Sequence, residues 1–199
     1  MGLESHVAFK SSGVSKPTAD AALDFAKSVD DRAWTKVRPE SRERTRIRFG
    51  PQQFYRGQSA GAKLPPALHA MANEALESIR ADLPAELVAK FRPNNCVVNQ
   101  YFRSGVSAHR DPSDRWLGLV LGVTLYEDPS DPVSSMKFTS LPGAESAEVV
   151  KMPTPHRSVY AFFDDAFLNA KHARMPCGKR QTRKLYSFTF RCGLEECNA

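Results

Sequence analysis

The change of texture at Pro93 constrains this chain more than any other feature of its sequence. Ahead of it, apolar residues recur at spacings of three and four. Behind it, CVVNQYF, LGLVLGVTLYE, MKFTS, AEVVKM, SVYAFF and KLYSFTFRC are short β-branched or aromatic runs, separated by EDPSDP, LPGAES and MPTPH. Helices first and strands afterwards point to an α+β domain whose C-terminal half is an antiparallel sandwich or barrel.

In the first half, TADAALDFAKSVDDRAW reads as a helix with Thr18 as its N-cap. PPALHAMANEALESIRAD reads as a second, opened by Pro65 and Pro66 and carrying Leu68, Met71, Ala72, Ala75, Leu76 and Ile79 on one face. Residues 1–17 lack sustained periodicity and are expected to be a flexible N-terminal arm, leaving 18–199 as a single domain. No apolar run has the ~18 residues of a membrane span, and the N-terminus lacks the pattern of a secretory signal, so an intracellular location, cytoplasmic or nuclear, is expected. The four cysteines show no paired spacing and read as reduced thiols.

Charge is distributed unevenly. The net charge is +6, and the basic residues gather in KVRPESRERTRIRFG and KHARMPCGKRQTRK. Such runs are the electrostatic footprint of a polyanion partner, and equally the ordinary solvated face of a protein that binds none.

The chemistry-bearing candidates begin with SAHRDPSDRW, where His109 and Asp111 stand two positions apart. On extended backbone, residues i and i+2 point the same way, so both side chains can reach one ion. The tripeptide alone is common by chance and reads as well as a surface ion pair. A third ligand has to come from far along the chain, and His172, after SVYAFF and before the last strand, is the candidate. Two imidazoles and one carboxylate form the facial triad that suits non-haem Fe(II). His6, His69 and His156 keep structural readings.

Asn99-x-Tyr101, His109-x-Asp111, His172 and the closing Ser187-Phe188-Thr189-Phe190-Arg191, in this order, resemble the AlkB-like branch of the Fe(II)/2-oxoglutarate-dependent dioxygenases. Upstream, RIRFGPQQFYRG is similar to the family's nucleotide-recognition region. The resemblance spans roughly residues 45–193. It implies a double-stranded β-helix, or jelly roll, with N-terminal helices packed on one sheet. It implies Fe(II) held by His109, Asp111 and His172, with 2-oxoglutarate as co-substrate and dioxygen as oxidant. Asn99, Tyr101, Ser187 and Arg191 would face the co-substrate, which is oxidised to succinate and carbon dioxide. Hydroxylation of an N-methyl group gives a product that falls apart to formaldehyde and the free amine.

Two departures from the pattern stand out. The family's second arginine, six residues before Arg191, is Leu185 here, so Arg183, one pleat further along, is expected to take its place, with Lys184, Arg180, or Tyr101 and Arg191 alone as alternatives. After the His-x-Asp motif come Pro112 and Ser113, a start that looks like the RNA-demethylating side of the family. For the substrate, Phe49, Phe54, Tyr55, Arg56, Ser113 and Trp116 are candidate contacts to a flipped or single-stranded base.

Three functions follow. The leading one is oxidative demethylation of N-alkylated bases in single-stranded or locally opened DNA or RNA, by a chain expected to be a monomer with no membrane partner. The second is the same chemistry on a protein or small molecule. The third is a catalytically idle nucleic-acid-binding jelly roll.

Overall fold

The computed structural model describes residues 2–36, 44–50, 63–142 and 147–193. Among the described residues eleven strands make two sheets. Eight of them run from Asn95 to Arg191: β4 Asn95–Tyr101, β5 Val106–His109, β6 Leu119–Tyr126, β7 Ser134–Ser140, β8 Val149–Thr154, β9 Ser158–Phe163, β10 Ala170–Met175 and β11 Leu185–Arg191. The eight divide evenly, and successive strands change sheet at every step except from β7 to β8. One sheet has the order β5-β10-β7-β8, and the other contains β9-β6-β11-β4, all pairs antiparallel.

The larger sheet extends at both ends. β3 Arg44–Phe49 pairs with β4, and β2 Thr35–Lys36 pairs with β3. At the far edge β1, Val7–Lys10, runs antiparallel to β9 with Val7 opposite Phe162. The expected flexible arm is therefore corrected: residues 7–10 complete a sheet edge. Val7 and Phe9 pack on the core between the sheets, while Ala8 joins the core on the other face. An exposed strand edge is a liability that such a short strand covers.

Helix α1, Lys16–Ser28, starts at Ser15, whose hydroxyl accepts from the Thr18 backbone N–H; Thr18 itself lies one turn inside. The expected N-cap thus moves back by three residues, because Pro17 fits the first helical turn and Ser15 is the side chain placed to receive an orphan N–H. The helix ends at Ser28, short of the expected Trp34. Helix α2 covers Pro66–Ser78, and its Leu68, Met71, Ala72 and Ala75 are fully buried. Short helices α3 Ala85–Lys90 and α4 Asp164–Leu168 fill the connections.

Strand alternation builds two cores. Cys96, Val98, Phe188 and Phe190 on one face of the larger sheet share a cluster with Ala22, Leu68 and Met71 of α1 and α2. On the opposite face Val120, Tyr160 and Phe162 meet Met136 and Phe138 of the smaller sheet. Of the cysteines, Cys96 and Cys177 are free thiols, whereas Cys192 is disulfide-bonded, which differs from the reading of four reduced thiols. No helix among the described residues is long and apolar enough to cross a membrane.

Candidate metal centre

The two sheets separate at one end into a cavity of about 320 Å³. His109 is the last residue of β5, and its neighbour across the ladder is His172 on β10. Their rings lie 4.3 Å apart, centroid to centroid. Asp111 follows two residues later, and one donor atom from each of the three side chains falls within 4.8 Å of the others. The pairing of β5 with β10 is what closes a site that sequence spacing alone leaves open.

Burial and charge prepare these groups for ligation. Burial pushes the His172 imidazole down to about 3, against the pull of the Asp111 carboxylate. It is therefore neutral at physiological pH, the form that binds a metal. Burial works to raise the Asp111 carboxyl, but the Arg191 guanidinium, with His172, outweighs it and holds the group below the usual carboxylate range. Arg191 donates to Asp111 Oδ2 from Nε at 2.8 Å and from Nη2 at 2.7 Å. Both side chains are 9% exposed. His109 is exposed and its Nδ1 lies 2.9 Å from the Ser107 carbonyl oxygen, which fixes the ring and leaves the other nitrogen toward the triad.

Of the residues expected to face a co-substrate, Asn99, Tyr101, Ser187 and Arg191 all line the cavity. They come from alternate positions of β4 and β11, with Ser187 opposite Asn99 in the ladder. Asn99 Oδ1 accepts from Arg44 Nη2 at 2.9 Å. Burial pushes the Tyr101 phenol above its ordinary value, so it stays a protonated donor.

Arg183 does not line this cavity. Asp131 accepts from the backbone N–H of Thr182 and of Arg183, and buried Gln181 donates to the Tyr101 and Arg183 carbonyls. This anchored segment precedes β11 and sends the Arg183 side chain into a separate hollow beside Lys27, Glu127 and Asp128. The basic stretch 171–184 begins inside strand β10, residues 170–175, where Arg174 is 3% exposed.

The expected substrate contacts divide. Trp116 lines the cavity, buried, with the Arg191 guanidinium 5.6 Å from its ring centroid. Phe49 does not; it packs on Phe25 in the helix-side core, because odd positions of β3 face away from the cavity. Ser113 is exposed and outside the lining. Phe54, Tyr55 and Arg56 lie outside the described residues.

Sequence reasoning missed the even positions of β3. Arg44, Arg46 and Arg48 all line the cavity, as does Arg174, and among the described lining residues seven are arginines against one carboxylate, Asp111. Alternation in RTRIRF was the available signal. It also missed Tyr160, whose ring lies over Gly122 in the neighbouring strand: a Cβ there would stand 2.1 Å from Tyr160 Cζ. Only glycine permits that approach.

No protein-family model and no curated protein matches this chain in sequence. Solved structures do. OsALKBH1 superposes with a TM-score of 0.65 at 12% identity, over 96% of this chain and 100% of that one. A prolyl-4-hydroxylase from Pseudomonas putida superposes with a TM-score of 0.56 at 14% identity, over 95% of this chain and 94% of that one. At such identities the likeness establishes a shared fold.

Proposed function

We propose that the protein is an Fe(II)- and 2-oxoglutarate-dependent dioxygenase built on a double-stranded β-helix. The observation that carries the reading is the convergence of His109, Asp111 and His172 within 4.8 Å at the open end of the two sheets. Two imidazole nitrogens and one carboxylate on one side of an ion suit non-haem Fe(II) and leave further positions toward the cavity. The even division of β4 to β11 between two four-strand sets, with a change of sheet at every step but β7 to β8, supports the fold reading, as does the superposition on OsALKBH1.

The cavity also fits a dianionic co-substrate. Its lining is cationic, and a buried carboxylate requires such partners. When bound, iron and 2-oxoglutarate supply the oxidation of a C–H bond by dioxygen. The chain's own residues hold and orient. Arg191 keeps Asp111 ionised and fixes its carboxylate; Trp116, Phe162 and Met136 line the cavity with apolar surface that excludes water.

For the substrate we infer an N-alkylated base in single-stranded or locally opened nucleic acid. The net charge of +6 and the arginine face of β3 beside the triad support this, since guanidinium groups pair with phosphate. A second reading, the same chemistry on a protein or small molecule, is favoured by one observation: Phe49, the aromatic expected to stack on a base, is turned into the core. The test is succinate formation from 2-oxoglutarate with Fe(II), ascorbate and dioxygen. Stimulation by a methylated single-stranded oligonucleotide, with formaldehyde released, supports the first reading. Stimulation by peptides alone refutes it, and no turnover in a folded, iron-loaded protein leaves the idle-binder alternative.

A further inference from the structure

We propose that Arg174 is the cation that takes the far carboxylate of the keto-acid co-substrate, replacing a closing-strand arginine from a different strand. This rests on the dioxygenase reading above. Leu185 is fully buried against Tyr101 and Tyr126, an apolar contact that offers a carboxylate nothing. Arg183, one pleat away, is turned into another hollow.

Arg174 has the opposite character. Its guanidinium is buried in the sandwich, yet its hydrogen-bond partners are neutral hydroxyls. Nη1 donates to Thr154 Oγ1 at 3.0 Å and to Ser134 Oγ at 3.4 Å; Nη2 donates to Thr124 Oγ1 at 2.9 Å and to Ser187 Oγ at 3.4 Å. It also lies 5.8 Å from the centroid of the Tyr101 ring. Among the described residues it forms no ion pair with a carboxylate. A full charge removed from water and left without a counter-charge is an expensive arrangement, and an anion arriving in the cavity relieves it.

The position of Arg174 fits one end of a short diacid. His172 and Arg174 are two residues apart on β10 and both line the cavity. Extended backbone separates such residues by ~6.6 Å, a span that a five-carbon diacid bridges when its keto-acid end is on a metal held by His172. Ser187 stands beside the guanidinium as a second donor, and Tyr160, seated on Gly122, hydrogen-bonds to it as well. Metal ligand and clamp share one strand, so the rise of that strand sets the distance between them. The competing cation is Arg44, which also approaches Tyr101 but stands on β3 of the larger sheet rather than on the strand that carries His172.

The experiment compares two keto acids that differ only in the far group. Binding of 2-oxoglutarate and of 2-oxopentanoate to the Mn(II)-loaded full chain is measured by calorimetry for the wild type, Arg174→Gln, Arg174→Lys and Arg44→Gln. Glutamine keeps a donor for the surrounding hydroxyls without the charge, and circular dichroism verifies folding. The wild type is expected to prefer 2-oxoglutarate by ~100-fold, the effect of one buried charge pair. Arg174→Gln should lose that preference with 2-oxopentanoate affinity unchanged, Arg174→Lys should recover part of it, and Arg44→Gln should keep it. A preference that survives in Arg174→Gln, or disappears in Arg44→Gln alone, overturns the assignment while the dioxygenase reading stands. If Arg174→Gln does not fold, a wild-type preference retained in full by Arg174→Lys but lost in Arg44→Gln overturns it equally. A wild type that binds neither acid with metal present refutes the dioxygenase reading and this inference together.

Discussion

The two faces of the larger sheet are made from the same strands, residue by alternate residue, and they have opposite chemistry. Toward the helices β11 presents Phe188 and Phe190, and β4 presents Cys96 and Val98, all fully buried. Toward the smaller sheet the same strands present Ser187, Thr189 and Arg191, and Val97, Asn99 and Tyr101. β3 repeats the division with Ile47 and Phe49 on one side and Arg44, Arg46 and Arg48 on the other. One face therefore supplies the hydrophobic stability that lets the other carry buried charge, since polar groups between the sheets cost stability unless matched.

The largest expected effect tests the stabilising face. Phe188→Ala removes a fully buried ring and should cost ~3–5 kcal/mol in urea unfolding. Its sequence neighbour gives the contrast: Ser187→Ala should change stability by no more than about 1 kcal/mol and weaken 2-oxoglutarate binding instead. If both variants lose the same stability, the two faces are not divided as described.

Next comes the metal. A divalent ion at 100 times its Kd should stabilise the wild type by ~2.7 kcal/mol, read as a rise in Tm. Asp111→Asn should abolish that rise, because the ligand set loses its carboxylate. An equal rise in the variant would place the ion elsewhere.

Smaller again is the effect of the group behind the ligand. Arg191→Met should weaken metal affinity ~10–100-fold, as removal of an orienting partner does. It also releases the Asp111 carboxyl from the cation that lowers it, so the acid limb of metal binding should move to higher pH. Equilibrium dialysis across a pH series reads both.

How much of this was legible in the sequence depends on how local each signal is. The apolar runs of β6, β9 and β11 declare themselves because both faces of these strands are buried. The triad was legible in pieces, since His109-x-Asp111 is local and His172 follows an apolar run. β10 was not. AKHARM has no β-branched residue and two basic ones, and becomes a strand only because β7 and β5 flank it; tertiary pairing overrides propensity there. Arg174 was hidden for the same reason, inside a run whose composition reads as solvated surface. Arg183 escapes the strand's parity because β11 begins only at Leu185. Phe49 faces the helices because RTRIRF alternates, with its even-numbered arginines toward the cavity and Ile47 and Phe49 behind them.

The smallest expected effect lies at the joint between the helices that back the sheet, far from the cavity. Glu74 of α2 accepts from the Ser15 N–H at 2.6 Å, from the Ser15 hydroxyl at 3.2 Å and from the Thr18 hydroxyl. It thereby ties the N-terminus of α1 to its neighbour. Ser15→Ala removes the cap and one of these bonds, and should cost ~1 kcal/mol while leaving metal and keto-acid binding unchanged. The partial burial of Glu74 works to raise its carboxyl, but the Thr18 and Ser15 bonds prevail and lower it from 4.5. A lowered folded value means that this contribution is complete above pH 4.5 and fades as pH falls through the folded value, where protonation removes the acceptor. Unfolding curves of the wild type and Ser15→Ala should therefore lie furthest apart near neutrality and draw closer in acid, the remaining gap being the cap bond to the Thr18 N–H, which does not titrate. If the variant instead weakened metal binding by as much as Arg191→Met does, the helix-side face would be coupled to the site rather than serving as its support.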